Sequence, residues 1–291
     1  MTAIHAPVNY EPLYIAEQHG YFDDAGLEVT ITAGGTPQDN LAQIMGGSAD
    51  LTITSWDVLV SSTAEQIPAL AVASNSVVSN SVDTSGLVVR TDSGITDVED
   101  LTGRTVAFND IGGGPHVVTM QAFRDAGLSE DQFEAVRIPF ASMQAALESG
   151  QVDAAFPSDS FYRQVAEHEN FQVIANPTRE YRAGLPITLW AATETWLQEN
   201  ADIAERFTHA MDSAIEFYED ESNAEAVSAI REEVTGEAQT NSEAPQGEFN
   251  TAIDLEVSQS VTDALVEFGI VEDAQNVKTA DEIVWERATT Q

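Results

Sequence analysis

An internal repeat constrains the fold of this chain more than any other feature. The segment GGSADLTITS at 46–55 corresponds to SGQVDAAFPS at 149–158, with a glycine, an aspartate and a serine in matching places and an offset of 103 residues. Pro12 and Pro115 share that offset, and DDAGL at 23–27 matches RDAGL at 124–128 after a slip of two residues. An ordered series of matches indicates a repeated structural unit.

Each copy of the repeat predicts strands that alternate with helices. The predicted strands are 4–6, 27–32 and 51–54 in the first copy, and 105–108, 133–138 and 154–156 in the second. Helices are expected to begin near the two prolines and near Thr36, because proline suits the first helical turn and threonine can cap it. The order β-loop-α-β-α-β-loop-α predicts a mainly parallel sheet wound with helices in each copy.

The rest of the sequence predicts four more strands and a helical tail. The strands are 69–74, 87–90, 173–175 and 187–191. After Glu194, apolar residues recur at helical spacing, and further helices are expected at 223–234, 254–268 and 279–288, with a polar connection at 236–248. Because 291 residues exceed the usual size of one domain, two α/β lobes are expected, with the helical tail on the first.

Acidic side chains dominate the charge of the chain. It has 49 Asp and Glu residues against 11 Lys and Arg, a net charge of −38, and Lys278 is its only lysine. Such a field repels nucleic acids and anionic membrane surfaces. The carboxylates are spread over every segment, and their repulsion is tolerable where salt shortens the Debye length to about 3 Å at 1 M. We therefore expect a protein adapted to high salt, with an ordinary acidic protein as the alternative.

The residue types that the chain lacks exclude several kinds of chemistry. It has no cysteine, which removes disulfides, thiolate metal sites and cysteine nucleophiles. Its five histidines show no metal-ligand spacing, and the glycines at 112–114 lack the lysine of a phosphate-binding loop. No apolar run approaches the roughly 18 residues that span a bilayer. We expect neither a metal nor a cofactor.

Four blocks of sequence carry a family resemblance. They are EPLYIAEQHGYFDDAGLEVTI at 11–31, GGSADLTITS at 46–55, DVEDLTGRTVAF at 97–108 and LESGQVDAAF at 147–156. In this order and spacing the chain resembles the binding proteins for nitrate, taurine, alkanesulfonates and thiamine pyrimidine precursors, which have a type II periplasmic-binding fold. The resemblance spans roughly residues 3 to 192.

The resemblance implies a two-lobed clamp that catalyses no reaction and delivers a small molecule to the membrane permease of an ABC importer. The first lobe would comprise residues 1–87 and 187–291 and the second 88–186, with the ligand cleft between them. An extracytoplasmic location is implied, with a signal peptide removed and a lipid anchor at the cell surface. The N-terminal residues carry no export signal, which fits either a cytosolic protein or one whose signal has been removed. We expect a monomer that binds no nucleic acid.

The ligand is expected at the loops that follow the strands, because ligands of open parallel sheets bind outside the carboxyl ends of the strands. In the resembling family, a glycine- and serine-rich turn before the second lobe's first helix holds an oxyanion. The matching residues here are Gly112, Gly113, Gly114 and His116. Amides and the dipole at a helix start attract negative charge. This turn has no hydroxyl and Pro115 removes a donor, so a tight turn that needs positive φ is the alternative.

Aromatic and polar side chains at the other loops are further candidates for ligand contact. The aromatic ones are Tyr10, Trp56, Phe161, Tyr162 and Trp190. They could stack on a planar ligand, or they could pack in a core. Both alternatives stay open for Trp190 in particular. The polar ones are Asn9, Thr36, Ser55, Asp57, Ser158 and Asp159. Of these, Thr36 and Ser158 could instead cap helices.

The nature of the ligand stays open in this pattern. Asp57 and Asp159 could accept hydrogens from amino or amide groups, which favours a planar heteroaromatic ligand over a bare anion. Arg179 and Arg182 could neutralise a carboxylate, or they could be solvent-exposed partners of the acidic surface. A sulfonate or nitrate binder would rely on the glycine turn instead.

Two other functions compete with an importer subunit. One is an enzyme on the same fold, similar to menaquinone-pathway enzymes, in which Asp57, Asp159 or His116 would act as an acid or base. The thiamine-pyrimidine synthases also resemble these binding proteins, but they carry a cysteine-rich motif, which this chain lacks. The other is a solute receptor that signals to a sensor kinase.

Overall fold

The computed structural model describes residues 1–5, 9–129, 131–235 and 248–290. The helices are α1 (Glu11–Gln18), α2 (Tyr21–Asp24), α3 (Pro37–Met45), α4 (Trp56–Ala64), α5 (Gly114–Asp125), α6 (Phe140–Glu148), α7 (Asp159–Ala166), α8 (Pro177–Arg182), α9 (Glu194–Glu219), α10 (Ala224–Thr235), α11 (Leu255–Glu267) and α12 (Ala280–Ile283). The strands are β1 (Thr2–His5), β2 (Thr30–Ala33), β3 (Leu51–Thr54), β4 (Ala69–Val77), β5 (Leu87–Arg90), β6 (Thr105–Phe108), β7 (Glu134–Arg137), β8 (Ala154–Ala155), β9 (Phe171–Ala175), β10 (Pro186–Thr193) and β11 (Glu248–Phe249).

The chain forms two compact units. Unit 1 comprises Met1–Val78, Gly184–Asp263 and Val271–Gln291. Its sheet has the order β11-β4-β10-β3-β1-β2. Strand β1 pairs in parallel with β2 and β3, while β10 is antiparallel to both β3 and β4. Strands β1 to β4 therefore all end at the same edge of the sheet, which we call the carboxyl edge of unit 1.

Unit 2 comprises Ser79–Ala183 and Ala264–Ile270. Its sheet has the order β7-β6-β8-β5-β9. Strand β6 pairs in parallel with β7 and β8, and β5 is antiparallel to β8 and β9. Strands β6 to β9 therefore end together at the carboxyl edge of unit 2. Both sheets are mixed, because β5 and β10 lie outside the repeat and run against the parallel strands.

The repeated residues perform the same structural task in both units. The Asp50 carboxylate accepts a hydrogen bond of 2.7 Å from the Thr2 amide, and the Asp153 carboxylate accepts one of 3.0 Å from the Thr105 amide. In each unit the aspartate thus holds the start of the first repeat strand. Gly47 and Gly150 have φ of 71° and 69°, a left-handed conformation that glycine adopts without strain.

The predicted alternation of strands and helices is confirmed in both copies. Helix α8 was not predicted, and several predicted elements have other bounds in the structure. Gly20, with φ of 78°, divides the first helix into α1 and α2. Strand β4 continues to Val77, three residues further than expected, because its polar end is paired with β10 and β11. Helix α12 ends at Ile283, and the chain beyond it does not stay helical. The polar connection expected at 236–248 lies outside the described residues except for Glu248.

Candidate functional site

A polar network lies at the carboxyl edge of unit 1, centred on Asn9. The Asn9 side chain donates to the Ser76 hydroxyl at 2.9 Å, and the Asn9 backbone carbonyl accepts from the Asn75 side chain at 2.9 Å. Asn75 also donates to the Thr188 hydroxyl at 3.0 Å, which lies 2.7 Å from that of Ser76. Asn9 has φ of 56°, a conformation that asparagine tolerates better than most residues. The network therefore holds Asn9 in place just before α1.

Sequence reasoning missed the other members of this network, Asn75, Ser76 and Thr188. A signal for Asn75 and Ser76 was present in the sequence, since the polar run Ser74–Ser76 lies near the end of an otherwise apolar strand. Buried polar side chains at a strand end are informative because burial costs free energy unless hydrogen bonds compensate it.

The loop after β2 is held in place by Asn40, which was also missed. Its buried side chain accepts from the Gly35 amide at 2.8 Å and donates to the Ile53 carbonyl at 2.9 Å. Thr36 caps α3 in a reciprocal arrangement with Asp39: the Asp39 amide donates to the Thr36 hydroxyl at 3.2 Å, and the Thr36 amide donates to the Asp39 carboxylate at 3.3 Å. Capping, the alternative considered for Thr36, is therefore observed.

The helix after β3 begins with Ser55, whose hydroxyl accepts a hydrogen bond from the Val58 amide at 3.4 Å. Asp57 follows in the first turn of α4, half-buried, where the helix dipole favours a negative charge. Trp56 is only 1% exposed, and its indole Nε1 donates to the Thr262 hydroxyl at 3.1 Å. The structure thus packs Trp56 inside unit 1, and its predicted contact with ligand stays a prediction.

Of the other predicted aromatic residues, Tyr10, Tyr162 and Trp190 are buried, whereas Phe161 is partly exposed and stacks on Phe140 with ring centroids 6.1 Å apart. Trp190 packs edge-on against Phe207 of α9, with ring centroids 4.9 Å apart, within the core of unit 1. Tyr10 precedes α1 and lies edge-on to Tyr14. In unit 2, Tyr162 is 8% exposed and its hydroxyl donates to the Asn176 side chain at 3.2 Å. Each ring therefore packs against other parts of the protein. Tyr10, Tyr162 and Trp190 do not present an exposed face for stacking.

The three glycines at the start of α5 are needed for different structural reasons. Gly112 has φ of 87°, so it meets the tight-turn alternative, whereas Gly113 has φ of −73°. A Cβ at Gly113 would lie 3.3 Å from that of Asp110, and a Cβ at Gly114 would lie 3.3 Å from Nη1 of Arg182. Close approach of neighbouring groups therefore explains the second and third glycines.

Arg182 lies against this turn. It is the last residue of α8 and is only 7% exposed. The expectation of a solvent-exposed arginine was therefore wrong for Arg182, because α8 packs on α5 and directs the guanidinium toward Gly114. Arg179 is partly exposed and forms an ion pair of 2.9 Å with Asp83. The carboxyl edge of unit 2 thus brings a buried cation to the start of a helix.

His116 lies in the first turn of α5 and is half-buried. Its Nδ1 accepts a hydrogen bond from the Gly112 amide at 3.0 Å. The ring packs edge-on against Phe108, with centroids 5.0 Å apart. Burial lowers the pKa of His116 below its ordinary value, and the Asp110 carboxylate opposes that shift. The imidazole is therefore held neutral beside the glycine turn.

The helix after β8 starts differently from its counterpart in unit 1. Ser158 precedes α7 without a capping hydrogen bond from its side chain, so capping is not its role here. Asp159 has φ of 54°, and its amide donates to the Thr84 carbonyl at 2.7 Å. Desolvation of its carboxyl group raises the pKa of Asp159 above its ordinary value, although the residue as a whole is partly exposed.

Among the described residues, no group of three or more His, Asp or Glu side chains could hold a metal ion. Over the same part of the chain, no helix combines the length and the apolar character needed to cross a membrane.

Comparison with known proteins identifies the family. Residues 8–223 match the family model described as "NMT1/THI5 like". The chain belongs to the NMT1/THI5-like family. "Putative binding protein YtlA" of Bacillus subtilis (strain 168) is 25% identical over 237 residues, which are 77% of this chain and 67% of that protein. The 4-amino-5-hydroxymethyl-2-methylpyrimidine phosphate synthase of Aspergillus parasiticus is 27% identical over 157 residues, 53% of this chain and 43% of the synthase.

A solved structure shows the fold of this NMT1/THI5-like chain. The periplasmic aliphatic sulphonate binding protein SsuA from Escherichia coli superposes with a TM-score of 0.75 at 18% identity, over 97% of this chain and 98% of that one. At this identity the likeness establishes the fold and no more. The predicted family resemblance and the α/β periplasmic-binding-protein fold are confirmed.

Proposed function

We propose that this protein is the extracytoplasmic solute-binding subunit of an ABC importer and that its ligand is a small organic anion, such as a sulfonate. Its family and fold support solute binding, since the relatives of this fold include binding proteins for a sulphonate. The observation that carries the choice of an anion is the burial of Arg182 at the start of α5.

Arg182 brings a buried positive charge to the start of α5. The start of a helix adds a partial positive charge, and amides of the first turn have no partner within the helix. Gly114 allows the guanidinium to come close to these amides. An anion bound there would accept hydrogen bonds from both and offset both positive charges.

The aromatic residues support a planar ligand less than their sequence positions suggest, because Trp56 and Trp190 are each 1% exposed. We therefore place the anionic group of the ligand at the glycine turn and Arg182. The network of Asn9, Ser76 and Thr188 in unit 1 would meet polar atoms on the rest of the ligand. Capture by closure of two lobes is part of the proposal, with the sequence-based expectation of 1–87 and 187–291 for the first lobe and 88–186 for the second.

We also propose the other properties expected from the sequence, which are delivery to a membrane permease, a lipid anchor and a monomeric state. Adaptation to high salt is proposed from the net charge of −38. The described ion pairs offset little of that charge, because only 11 Lys and Arg residues are available. Salt would therefore screen most of the repulsion.

A second candidate function is catalysis on the same fold. The synthase relative and the raised pKa of Asp159 favour it, because a raised pKa is a feature of carboxyl groups that act as acids or bases. The chain lacks the cysteines expected of that synthase class. Binding without turnover remains our proposal.

Thermal denaturation with a panel of ligands tests the function. Ethanesulfonate, nitrate and 4-amino-5-hydroxymethyl-2-methylpyrimidine would each be added at low and at ~1 M KCl, where the Debye length is ~3 Å. We expect ethanesulfonate to raise the melting temperature and to be recovered unchanged, because a ligand that binds only the folded state stabilises it. Stabilisation by the pyrimidine alone would contradict the anion proposal, and a chemically altered ligand would contradict the binding function.

Arg182→Met is the matched variant for this experiment. It keeps the length of the side chain and removes the charge, so stabilisation by ethanesulfonate should be lost. Arg179→Met removes a nearby cation that is already paired with Asp83, and it should respond to the ligand as the unmodified protein does.

A further inference from the structure

The side chain of His116 holds the glycine turn of unit 2. The Gly112 amide donates to Nδ1 of His116, four positions further along the chain, at 3.0 Å. Because Nδ1 accepts this bond, the neutral ring must carry its proton on Nε2. Gly112, at φ of 87°, is held in a conformation that only glycine adopts freely. The hydrogen bond therefore depends on one protonation state of one ring.

Packing keeps the ring in this orientation. The centroid of Phe108 lies 5.0 Å from it and that of Phe133 lies 5.9 Å from it, both in edge-on geometry. The two phenylalanine rings leave the imidazole little freedom to turn Nε2 toward Gly112. Protonation would place a second donor opposite the Gly112 amide, and two donors at hydrogen-bond distance repel each other.

The charged groups around His116 come from three elements. Asp110 follows β6 and interacts favourably with a protonated ring, but it is already paired with Arg137, which ends β7. Arg182 of α8 faces Gly114, on the same turn. Phe108 and Phe133 contribute no charge. The Asp110 carboxylate thus also pairs with Arg137, and desolvation lowers the pKa of His116 more than Asp110 raises it.

We propose, on the basis of the anion site proposed above, that His116 is the positioning residue of that site. Neutral His116 holds Gly112 so that the first amides of α5 converge with Arg182. Protonated His116 releases Gly112, and the affinity for an anion falls.

The sign of this pH dependence is opposite to that of a simple charge effect. A protonated imidazole near a bound anion would attract it, and the affinity would rise on acidification. Loss of the turn makes the affinity fall instead. Because burial lowers the pKa of His116, the turn stays closed at neutral pH. The loss should begin below the ordinary histidine pKa of about 6.5 and be complete below the lowered value.

Calorimetric titration with ethanesulfonate tests the proposal, since a sulfonate stays ionised from about pH 8 to about pH 5. His116→Asn keeps an acceptor near the position of Nδ1 but cannot titrate there, and His116→Leu keeps the packing without the acceptor. We expect the wild-type affinity to fall about tenfold on acidification, the amount that corresponds to ~1.4 kcal/mol. The Asn variant should show constant affinity, and the Leu variant should bind about tenfold more weakly than the Asn variant at every pH.

His168→Asn is the control. The Nδ1 of His168 also accepts from a nearby amide, that of Asn170 at 3.3 Å, and the ring also packs on a phenylalanine, but this site is exposed and far along the chain from the turn. This variant should keep the pH dependence of the wild type. An affinity that rises on acidification, or an Asn variant that follows the wild-type pH profile, would overturn the proposal.

Nuclear magnetic resonance separates this proposal from the proposed function. The Gly112 amide signal should follow the titration of His116 in the wild type and in Arg182→Met, but not in His116→Asn. If ethanesulfonate fails to bind at about pH 8, the anion function is wrong, and the hydrogen bond is still tested by this signal. A Gly112 signal that does not move with the His116 titration would refute the positioning role.

Discussion

The two units share a framework, but the buried charged side chains at their carboxyl edges have different surroundings. In unit 1 the buried Glu11 is neutralised by Arg231, at 3.0 Å, within the protein. In unit 2 the buried Arg182 lies at the start of α5, where the helix itself is electropositive. Unit 1 therefore pairs its buried anion with a cation, whereas unit 2 brings its buried cation to the positive end of a helix.

The same contrast holds at the starts of the equivalent helices. Ser55 uses its hydroxyl to cap α4, and Ser158 does not cap α7. The repeated aspartates and glycines are equivalent in the two units because they build the strands and turns. Arg182 lies outside the repeat, and His116 occupies the position that corresponds to Leu13 in the first copy. Structural roles follow the repeat, and the proposed binding role depends on departures from it.

The largest effect should come from breaking the internal neutralisation of unit 1. Arg231 of α10 is 1% exposed and also donates to the Tyr218 hydroxyl at 3.1 Å. Arg231→Met leaves the Glu11 carboxylate buried beside α1 without its cation, and this should cost about 3–5 kcal/mol of unfolding free energy. Chemical denaturation in high salt measures it.

Two variants sharpen this first prediction. Arg287→Met removes an exposed pair with Glu205, at 3.4 Å, and should cost at most about 1 kcal/mol. Adding Glu11→Gln to Arg231→Met removes the stranded charge and should recover part of the loss. If Arg231→Met costs no more than the surface variant, the charges of unit 1 are not internally compensated as the structure indicates.

A smaller effect should separate the glycines of unit 2 by role. Gly112→Ala forces alanine into a left-handed conformation, which costs about 1–2 kcal/mol of stability. Gly114→Ala has no such backbone cost but crowds Nη1 of Arg182, so it should weaken ethanesulfonate binding by about tenfold or more with little loss of stability. Denaturation and calorimetry on the same samples measure both quantities.

Gly127→Ala is the control for the glycine series. Gly127 has φ of 74° with nothing near its missing Cβ, so alanine there should destabilise the protein without changing the affinity. Equal affinity losses in Gly114→Ala and Gly127→Ala would mean that the turn has no special relation to the ligand.

The sequence could predict the fold because its signals are local and repeated. The strands at 51–54 and 105–108 were predicted with the bounds that the structure has. Helix ends were less predictable: Gly20 divides the first helix although the sequence around it remains compatible with a longer one. Such boundaries depend on tertiary packing, which a single sequence does not reveal.

The candidate site was predictable only in part, because contacts between distant residues define it. The loops were correctly placed at strand ends, but the burial of Arg182 results from the packing of α8 on α5. Asn75 and Thr188 meet across 113 positions of sequence. Their pairing follows from the antiparallel register of β4 and β10, which residue patterns alone did not provide.

The smallest expected effect distinguishes two buried tryptophans of unit 1, Trp56 and Trp190. The Trp56 indole donates to Thr262, whereas no described residue accepts a hydrogen bond from Nε1 of Trp190. Both changes to phenylalanine remove similar volume, so the difference between them isolates the hydrogen bond. Trp56→Phe should cost about 1 kcal/mol more than Trp190→Phe in thermal or chemical denaturation. Neither should alter ethanesulfonate affinity if the rings only pack; a weaker affinity in Trp56→Phe alone would return Trp56 to the ligand site and make the carboxyl edge of unit 1 a direct partner in binding.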